Sequence, residues 1–347
     1  MAGSIALQLL LLGSFASEAL ASCAYGTLLQ PRAEGGAVEV NTFGYTGKIG
    51  PTNWVGLDPA ANALCSTGVN QSPIDMVAGA NAIIPAAQLG LSIPDMIEGT
   101  EFENLGTTVE VVAGQGTMRF ANTSFTLQQF HFHLPSEHLD AGKSMAMEMH
   151  MVWQSEDAKI AVVGVFIDVD DGAGGSPAGN STSAPAPVAT PAARKRDGFI
   201  KMVRKSDVHA YDEAHDHTHE KRQLPGVGGT FFHVNAPTTA ATTPSSLLET
   251  VFGSVGEISE PGTLTKTKSL NMAELVNILA AGSFQTYEGS LTTPPCSEGV
   301  RWLVSDQKLS IKTSTFHSVQ SVIGFNSRFP QGSLGEPNAL AGLVAKA

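Results

Sequence analysis

The chain has 347 residues, of which 42% are hydrophobic and 15% are charged, and its formal net charge at pH 7 is −12. This length and apolar content can form a sizeable buried core, in one large domain or two of medium size. The scarcity of Lys and Arg argues against a surface that binds nucleic acid or an anionic membrane, because such binding depends on basic side chains that neutralise phosphates.

The N-terminus has the pattern of a secretory signal peptide. Ile5 to Leu12 form a short apolar run and Ala19-Leu20-Ala21 is a small-x-small cleavage site, so residues 1–21 are predicted to be removed. The run is too short to span a bilayer, and no second apolar run reaches that length. We therefore expect a secreted, extracellular protein with no membrane span, in which residues 22–40 form a flexible lead and residues 336–347 a C-terminal tail.

Strands dominate the elements that the sequence predicts. Thr107 to Val112 and Thr117 to Thr126 alternate or carry β-branched residues, and Ala161 to Ile167 is a continuous apolar run typical of a buried strand. Helical patterns are few. Asn271 followed by Glu274 predicts a capping box that begins a helix through about Ala280. The pattern therefore indicates a mostly β fold.

Two further predicted strands carry histidines. In Gln129 to His133 the polar residues fall on one parity and the aromatic residues on the other, and in Met145 to Trp153 the methionines alternate with Glu148 and His150. Alternate side chains of a strand point to opposite faces. The intervening Leu134 to Ser144 suits a connection between antiparallel neighbours. Pairing the two strands would bring their histidines to one point.

Three neutral imidazoles with no fourth protein ligand are the pattern of a catalytic zinc site, which keeps one position open for water. We therefore predict Zn²⁺ at His131, His133 and His150; the alternative for a His-x-His pair alone is two histidines without a metal. Gln129 and Glu148 each precede a histidine by two residues. They are placed to accept the outer ring N–H of a ligating histidine and to fix its orientation.

The strand pattern disappears in residues 172–229. Gly172 to Ala193 consists of Gly, Ser, Thr, Ala, Pro, Asn and Val, a composition typical of a flexible linker. A structureless loop of this length is unusual inside a domain, so we interpret residues 172–229 as an insertion. Its four histidines between Asp207 and Glu220 match no defined metal site. Asn122-Thr123-Ser124 and Asn180-Ser181-Thr182 are glycosylation sequons, which export would make usable.

Six segments, in one order along the chain, resemble the α-class carbonic anhydrases. They are Phe43-Gly44-Tyr45, Asn70 to Ile74, Gln129 to His150, Ala161 to Phe166, Tyr287 to Cys296 and Asn326-Ser327-Arg328. The insertion segment Arg222 to Gly226 resembles the fungal branch. The resemblance implies a single domain over residues 41–335, built on a large, twisted, mainly antiparallel central sheet with a few short peripheral helices.

The resemblance also implies a chemistry, the reversible hydration of CO2 to bicarbonate and a proton. In carbonic anhydrase, zinc lowers the pKa of its bound water to about 7, and the hydroxide so formed attacks CO2. Thr292 matches the hydroxyl that orients this hydroxide, and Glu137 matches the carboxylate to which that hydroxyl donates. Thr293 matches the substrate-side position. The wall that receives CO2 matches residues that core packing would explain equally well: Val152, Val162, Leu291, Val300 and Trp302.

One position departs from the family pattern. The usual proton-shuttle histidine corresponds to Thr107, and threonine cannot titrate near neutral pH whereas histidine can. We therefore expect CO2 hydration with a non-standard proton route, through buffer or another group such as Glu110 or the insertion histidines.

The cysteines also follow the resemblance. Cys65 and Cys296 match a pair that forms a disulfide in exported members of the family. Cys23 is left over, and it could join two chains into a homodimer or remain a free thiol.

Two other functions remain open from the sequence. The first is a carbonic-anhydrase-like binding module that has lost catalysis, although such relatives typically lack one or more metal histidines and none is missing here. The second is a zinc esterase.

Overall fold

The computed structural model describes residues 38–170 and 243–341. The predicted signal peptide, most of the lead, Cys23, the sequon at Asn180, the whole insertion and the last residues of the tail lie outside these ranges. The described residues belong to one compact unit. Among them, no helix has both the length and the apolar content needed to cross a bilayer.

The described residues are dominated by β-strands. The strands are β1 Asp75–Met76, β2 Ala82–Pro85, β3 Glu101–Asn104, β4 Val109–Val112, β5 Thr117–Phe120, β6 Thr123–His133, β7 Leu139–Asp140, β8 Lys143–Ser144, β9 Met147–Ser155, β10 Ile160–Asp170, β11 Leu264–Lys266, β12 Ser283–Ser290, β13 Glu298–Ser305 and β14 Leu309–Lys312. The α-helices are α1 Trp54–Leu57, α2 Leu64–Thr67, α3 Ser246–Phe252, α4 Met272–Ala280 and α5 Thr313–Ile323. Short 3₁₀ turns occupy Gly47–Ile49, Pro51–Asn53, Ala86–Gln88 and Val255–Ile258.

One 11-stranded sheet contains most of the strands, in the order β11-β3-β4-β6-β9-β10-β13-β12-β2, with β14 beside β10 and β5 beside β6. Its pairings are antiparallel except for those of β10 with β13 and with β14. The sheet is therefore mixed but mainly antiparallel, and the predicted mostly β fold with few short helices is confirmed.

The prediction of one strand over Thr117 to Thr126 was wrong, because the chain reverses in the middle of this segment. Ala121 and Asn122 adopt positive φ angles of 46° and 65°, and the two halves pair with each other as β5 and β6. Asn is one of the few residues that adopt this conformation readily. The sequon at Asn122 thus lies on an exposed turn.

The helix predicted after Asn271 is α4, but the predicted capping box is absent. Asn271 makes no side-chain cap hydrogen bond. Glu274 instead accepts a hydrogen bond of 2.7 Å from the Ser245 hydroxyl and another from Ser246. Ser245 caps α3, so Glu274 connects the starts of two helices that are distant in sequence.

The two faces of the central strands have different neighbours. The aromatic residues Phe130 and Phe132 of β6 and the methionines of β9 point into the main apolar core, under the helices. The opposite face carries the histidines and a smaller apolar cluster that includes Val152 and Trp302. Alternation along the strands thus separates the packing face from the polar face.

Gly164 on β10 is paired with His150 on β9. A Cβ atom at this position would lie 2.9 Å from Glu148 Oε1, which is closer than normal van der Waals contact. The missing side chain therefore leaves the space that the Glu148 carboxylate occupies.

Cys65 and Cys296 form the disulfide that the resemblance implied. The bond joins residues 231 positions apart in sequence and packs with Phe43 and Trp54 in a small cluster. Gln71 Nε2 donates to Cys296 O at 3.0 Å. The bond thus fastens the segment after Thr292 to the N-terminal part of the domain.

Replacing both cysteines, as Cys65→Ser with Cys296→Ser, should lower the free energy of unfolding by about 4–5 kcal/mol, because the bond closes a very long loop in the unfolded chain. Denaturant unfolding of the oxidised proteins measures this difference. Cys23→Ser is the control and should unfold as the wild type does. An unchanged midpoint in the double variant would contradict the prediction.

Candidate metal centre

Pairing of β6 with β9 sets the positions of the three histidines. His131 lies opposite His150, and His133 lies opposite Glu148. The three imidazoles are buried, with 1–3% of each residue exposed. Their candidate ligand atoms lie within 4.8 Å of one another. The structure therefore brings together the three residues that alternation predicted.

Each imidazole has one ring nitrogen that faces away from the other two histidines, here called the outer nitrogen, and this nitrogen lies next to an oxygen acceptor. Nδ1 of His131 lies 2.8 Å from Gln129 Oε1, and Nδ1 of His133 lies 2.9 Å from the backbone oxygen of Asn326. Nε2 of His150 lies 3.0 Å from Glu148 Oε1, a close contact that does not meet hydrogen-bond geometry in this structure. These contacts leave Nε2 of His131, Nε2 of His133 and Nδ1 of His150 as the inner nitrogens.

The inner nitrogens fit a metal ion. Within the described part of the chain, His133 Nε2 and His150 Nδ1 are buried and have no hydrogen-bond partner. Buried polar atoms without a partner are rare, because each carries an uncompensated desolvation cost. Coordination of a cation would satisfy both atoms, and three nitrogen ligands suit Zn²⁺.

Burial keeps these imidazoles neutral. It lowers the pKa of His133 to about 4, and burial together with the neighbouring imidazoles holds the pKa of His131 well below its usual range. Burial also lowers the pKa of His150. A neutral ring can donate its nitrogen lone pair to a metal without first losing a proton.

Glu148 is an ionised carboxylate in the protein interior. Burial alone would raise its pKa, but His138 and His150 outweigh burial and hold the pKa well below its usual range. Its Oε2 accepts the backbone N–H of Glu137 at 2.9 Å and of His138 at 2.8 Å. Its Oε1 lies 2.7 Å from Nδ1 of His138. The carboxylate is thus fixed in orientation beside His150.

Glu137 lies beside the histidines, as expected. Burial raises its pKa to about 7, while Oε1 accepts the backbone N–H of Arg328 at 2.8 Å and Oε2 lies 3.9 Å from His150 Nδ1. The Thr292 hydroxyl favours the charged form of this carboxylate. In this structure, however, Thr292 Oγ1 and Glu137 Oε2 do not meet hydrogen-bond geometry, and both are buried without another partner among the described residues.

A narrow cavity opens beside the histidines. Its lining includes Thr107, Glu110, Thr293, His131 and His133. Thr107 is held there by Asn41 Nδ2, which donates to its hydroxyl at 2.6 Å. The position that matches the family's shuttle histidine therefore lies in the cavity that leads to the imidazoles.

The five apolar residues expected to receive CO2 belong to one buried cluster. Val162 on β10 lies between Val152 on β9 and Trp302 on β13 in the sheet register. The Trp302 ring centroid is 4.8 Å from that of His150. This wall therefore borders the histidines directly.

Sequence reasoning did not assign roles to several buried polar groups that hold the site. The acceptor for His133 is a backbone oxygen of Asn326, far away in sequence, and no side-chain pattern could reveal it. Asn326 also donates from Nδ2 to Thr107 O and Phe132 O. Arg328 donates to Ser72 O and Gln71 Oε1. Only the resemblance of Asn326-Ser327-Arg328 to the family signalled this segment.

Comparison with known proteins agrees with this geometry. A carbonic anhydrase of Neisseria gonorrhoeae is 35% identical over 264 residues, which cover 76% of this chain and 73% of that protein. A carbonic anhydrase of Pectobacterium carotovorum is 28% identical and covers 81% of this chain and 83% of that protein. Among solved structures, a fungal α-carbonic anhydrase of Aspergillus oryzae has a TM-score of 0.65 and 28% identity, covering 88% of this chain and 100% of that one. This match agrees with the expected likeness to the fungal branch.

The family model for eukaryotic-type carbonic anhydrase matches residues 49–180 and 200–336, which is well over half of the sequence. The buried histidines, the apolar wall beside them and the mostly β fold agree with that match. The chain therefore belongs to the eukaryotic-type carbonic anhydrase family, whose members interconvert CO2 and bicarbonate.

Proposed function

We propose that this chain catalyses the reversible hydration of CO2 with a Zn²⁺ ion held by His131, His133 and His150, and that it moves the product proton without a histidine at position 107. The proposal rests on one observation. Each buried imidazole has an oxygen acceptor within 3.0 Å of its outer nitrogen, and one ring nitrogen of each histidine lies within 4.8 Å of one from each of the others. Bound Zn²⁺ would supply a nucleophile at neutral pH, because it lowers the pKa of coordinated water.

The chain's own residues orient the reaction. Glu137 Oε1 is occupied by the N–H of Arg328, which leaves Oε2 for the Thr292 hydroxyl. When Thr292 donates there, its oxygen can only accept a hydrogen bond from a reacting hydroxyl group. A metal cation bound by the three neutral histidines would keep Glu137 ionised, because a nearby cation favours the carboxylate form.

The apolar wall selects the substrate. CO2 has no net dipole, so a surface without hydrogen-bonding groups can hold it beside the metal ligands while excluding water. Val152, Val162 and Trp302 are all buried on this face. Leu291 and Val300 complete it, and Thr293 lies on the cavity side next to Thr292.

Export of the protein forms part of the same proposal. Disulfides persist mainly in oxidising compartments, so the bond between Cys65 and Cys296 supports secretion after removal of residues 1–21. The exposed turn at Asn122 would be accessible to glycosylation. Both inferences agree with the signal-peptide pattern of the N-terminus.

The wild-type protein should contain about one zinc ion per chain and should hydrate CO2 in a stopped-flow assay that a sulfonamide inhibits. His150→Ala should lose both the metal and the activity, because it removes one of the three ligands. His317→Ala replaces an exposed histidine on α5 and should change neither. Zinc-free protein with full activity would refute the proposed function.

Thr292→Val should lower kcat/KM for CO2 by about 100-fold at unchanged zinc content, because it removes the orienting hydroxyl but keeps the shape of the side chain. Thr267→Val is a matched control, since Thr267 is also a buried threonine and its hydroxyl accepts from Thr100 N. The control should keep wild-type kcat/KM. Equal activities of the two variants would remove Thr292 from the mechanism.

Proton export should limit turnover in dilute buffer, because Thr107 cannot titrate near neutrality. Added imidazole should therefore raise kcat, and Thr107→His should raise kcat more than kcat/KM. Thr107→Gln is the control, since glutamine is similar in size to histidine but carries no titratable proton. Fast turnover in dilute buffer that imidazole leaves unchanged would show that another group already exports the proton.

A further inference from the structure

A chain of buried polar side chains begins behind His150. Glu148 Oε1 lies 3.0 Å from His150 Nε2 and 2.7 Å from His138 Nδ1. The other imidazole nitrogen of His138 lies 2.7 Å from the hydroxyl oxygen of Tyr287. His138 and Glu148 are both 0% exposed, so bulk water cannot replace any of these contacts.

This series of side-chain contacts continues to the segment that carries Thr292. The Tyr287 hydroxyl lies 2.9 Å from Ser72 Oγ. Ser72 Oγ accepts the backbone N–H of Ser290 at 3.0 Å, and Ser290 Oγ accepts the backbone N–H of Ser72 at 2.9 Å. This reciprocal pair connects the Tyr287 end of the series to the backbone at Ser290, two residues before Thr292.

The Tyr287 hydroxyl is not needed for packing. The ring stacks on Trp302, with centroids 6.2 Å apart and planes 7° from parallel, and a phenylalanine could make the same contact. The hydroxyl instead joins two buried polar groups, His138 Nε2 and Ser72 Oγ. Removing it would leave the His138 nitrogen without a partner in a dry environment, which favours rearrangement of the imidazole.

We propose that Tyr287 is a positioning residue for the metal: through His138 and Glu148 it holds the imidazole of His150 in its ligating orientation and slows release of the ion. The inference rests on the proposed function, because it assumes zinc at the three histidines. Outer partners of ligating histidines fix their orientation, and loss of such partners typically weakens metal binding. Here the outer partner of His150 is itself fixed by His138, and His138 by Tyr287.

Tyr287→Phe tests the inference in the zinc-loaded full chain. The readout is the rate at which bound zinc transfers to an excess of a coloured chelator, which requires no catalysis. We expect release about tenfold faster than from the wild type, the lower end of the effect of losing an outer partner. Ser72→Ala removes the far contact of the hydroxyl and the acceptor for the Ser290 N–H, but it leaves the contact with His138 in place and should accelerate release less.

Thr286→Val is the matched control. Thr286 precedes Tyr287 on β12, points to the opposite face and donates its buried hydroxyl to Trp302 O at 2.8 Å. The variant therefore also loses one buried hydroxyl hydrogen bond from the same strand. It should release zinc at the wild-type rate, and thermal unfolding of all variants should separate zinc retention from general stability.

The outcomes are distinct. Faster release from Tyr287→Phe but not from Thr286→Val supports the positioning role. Equal release from Tyr287→Phe and wild type, or equal acceleration in Tyr287→Phe and Thr286→Val, overturns it while leaving the proposed function intact. Should Tyr287→Phe fail to fold, an unchanged rate in Ser72→Ala overturns the role. A wild-type protein that holds no zinc would sink the proposed function itself, and this inference with it.

Discussion

The antiparallel register between β6 and β9 is the constraint on which the site depends. It places His131 opposite His150 on one face of the sheet, while Phe130 and Phe132 point into the core on the other. A shift of one residue would exchange the two faces. The aromatic residues would then meet the cavity and the histidines would be buried among apolar side chains. Core packing therefore also fixes the geometry of the metal ligands.

The second requirement is an acceptor for each buried ring N–H. The three acceptors are chemically different: for His131 a side-chain amide two residues earlier on β6, for His133 a backbone carbonyl from the C-terminal segment, and for His150 a carboxylate two residues earlier on β9. Glu148 is the charged member, and two backbone N–H groups and His138 stabilise its ionised form. The charge is retained in the interior because three hydrogen-bond donors surround it, with the His150 ring in close contact, and because Gly164 leaves it room.

Period-two alternation was sufficient to predict the two histidine strands, their pairing and the acceptors Gln129 and Glu148, because these depend on local geometry. It could not predict contacts between distant segments. The backbone of Asn326 reaches His133, and the serine pair Ser72 and Ser290 meets across more than two hundred residues. The same limit explains why the predicted capping box at Glu274 is absent. The partners of Glu274 are serines at the start of another helix. The turn at Ala121 and Asn122 was missed because its neighbours on both sides have strand-like patterns.

The hydrogen bonds of Asn326 have a consequence for biosynthesis. The ribosome completes the histidine strands long before residue 326, yet until that residue emerges His133 lacks its acceptor and the backbone around Phe132 lacks the amide that bridges it to Thr107. Cys65 likewise cannot form its disulfide until Cys296 has been synthesised. A nascent chain therefore carries all three imidazoles before the acceptor of His133 exists, and the pocket is complete only after residue 326 has been translated.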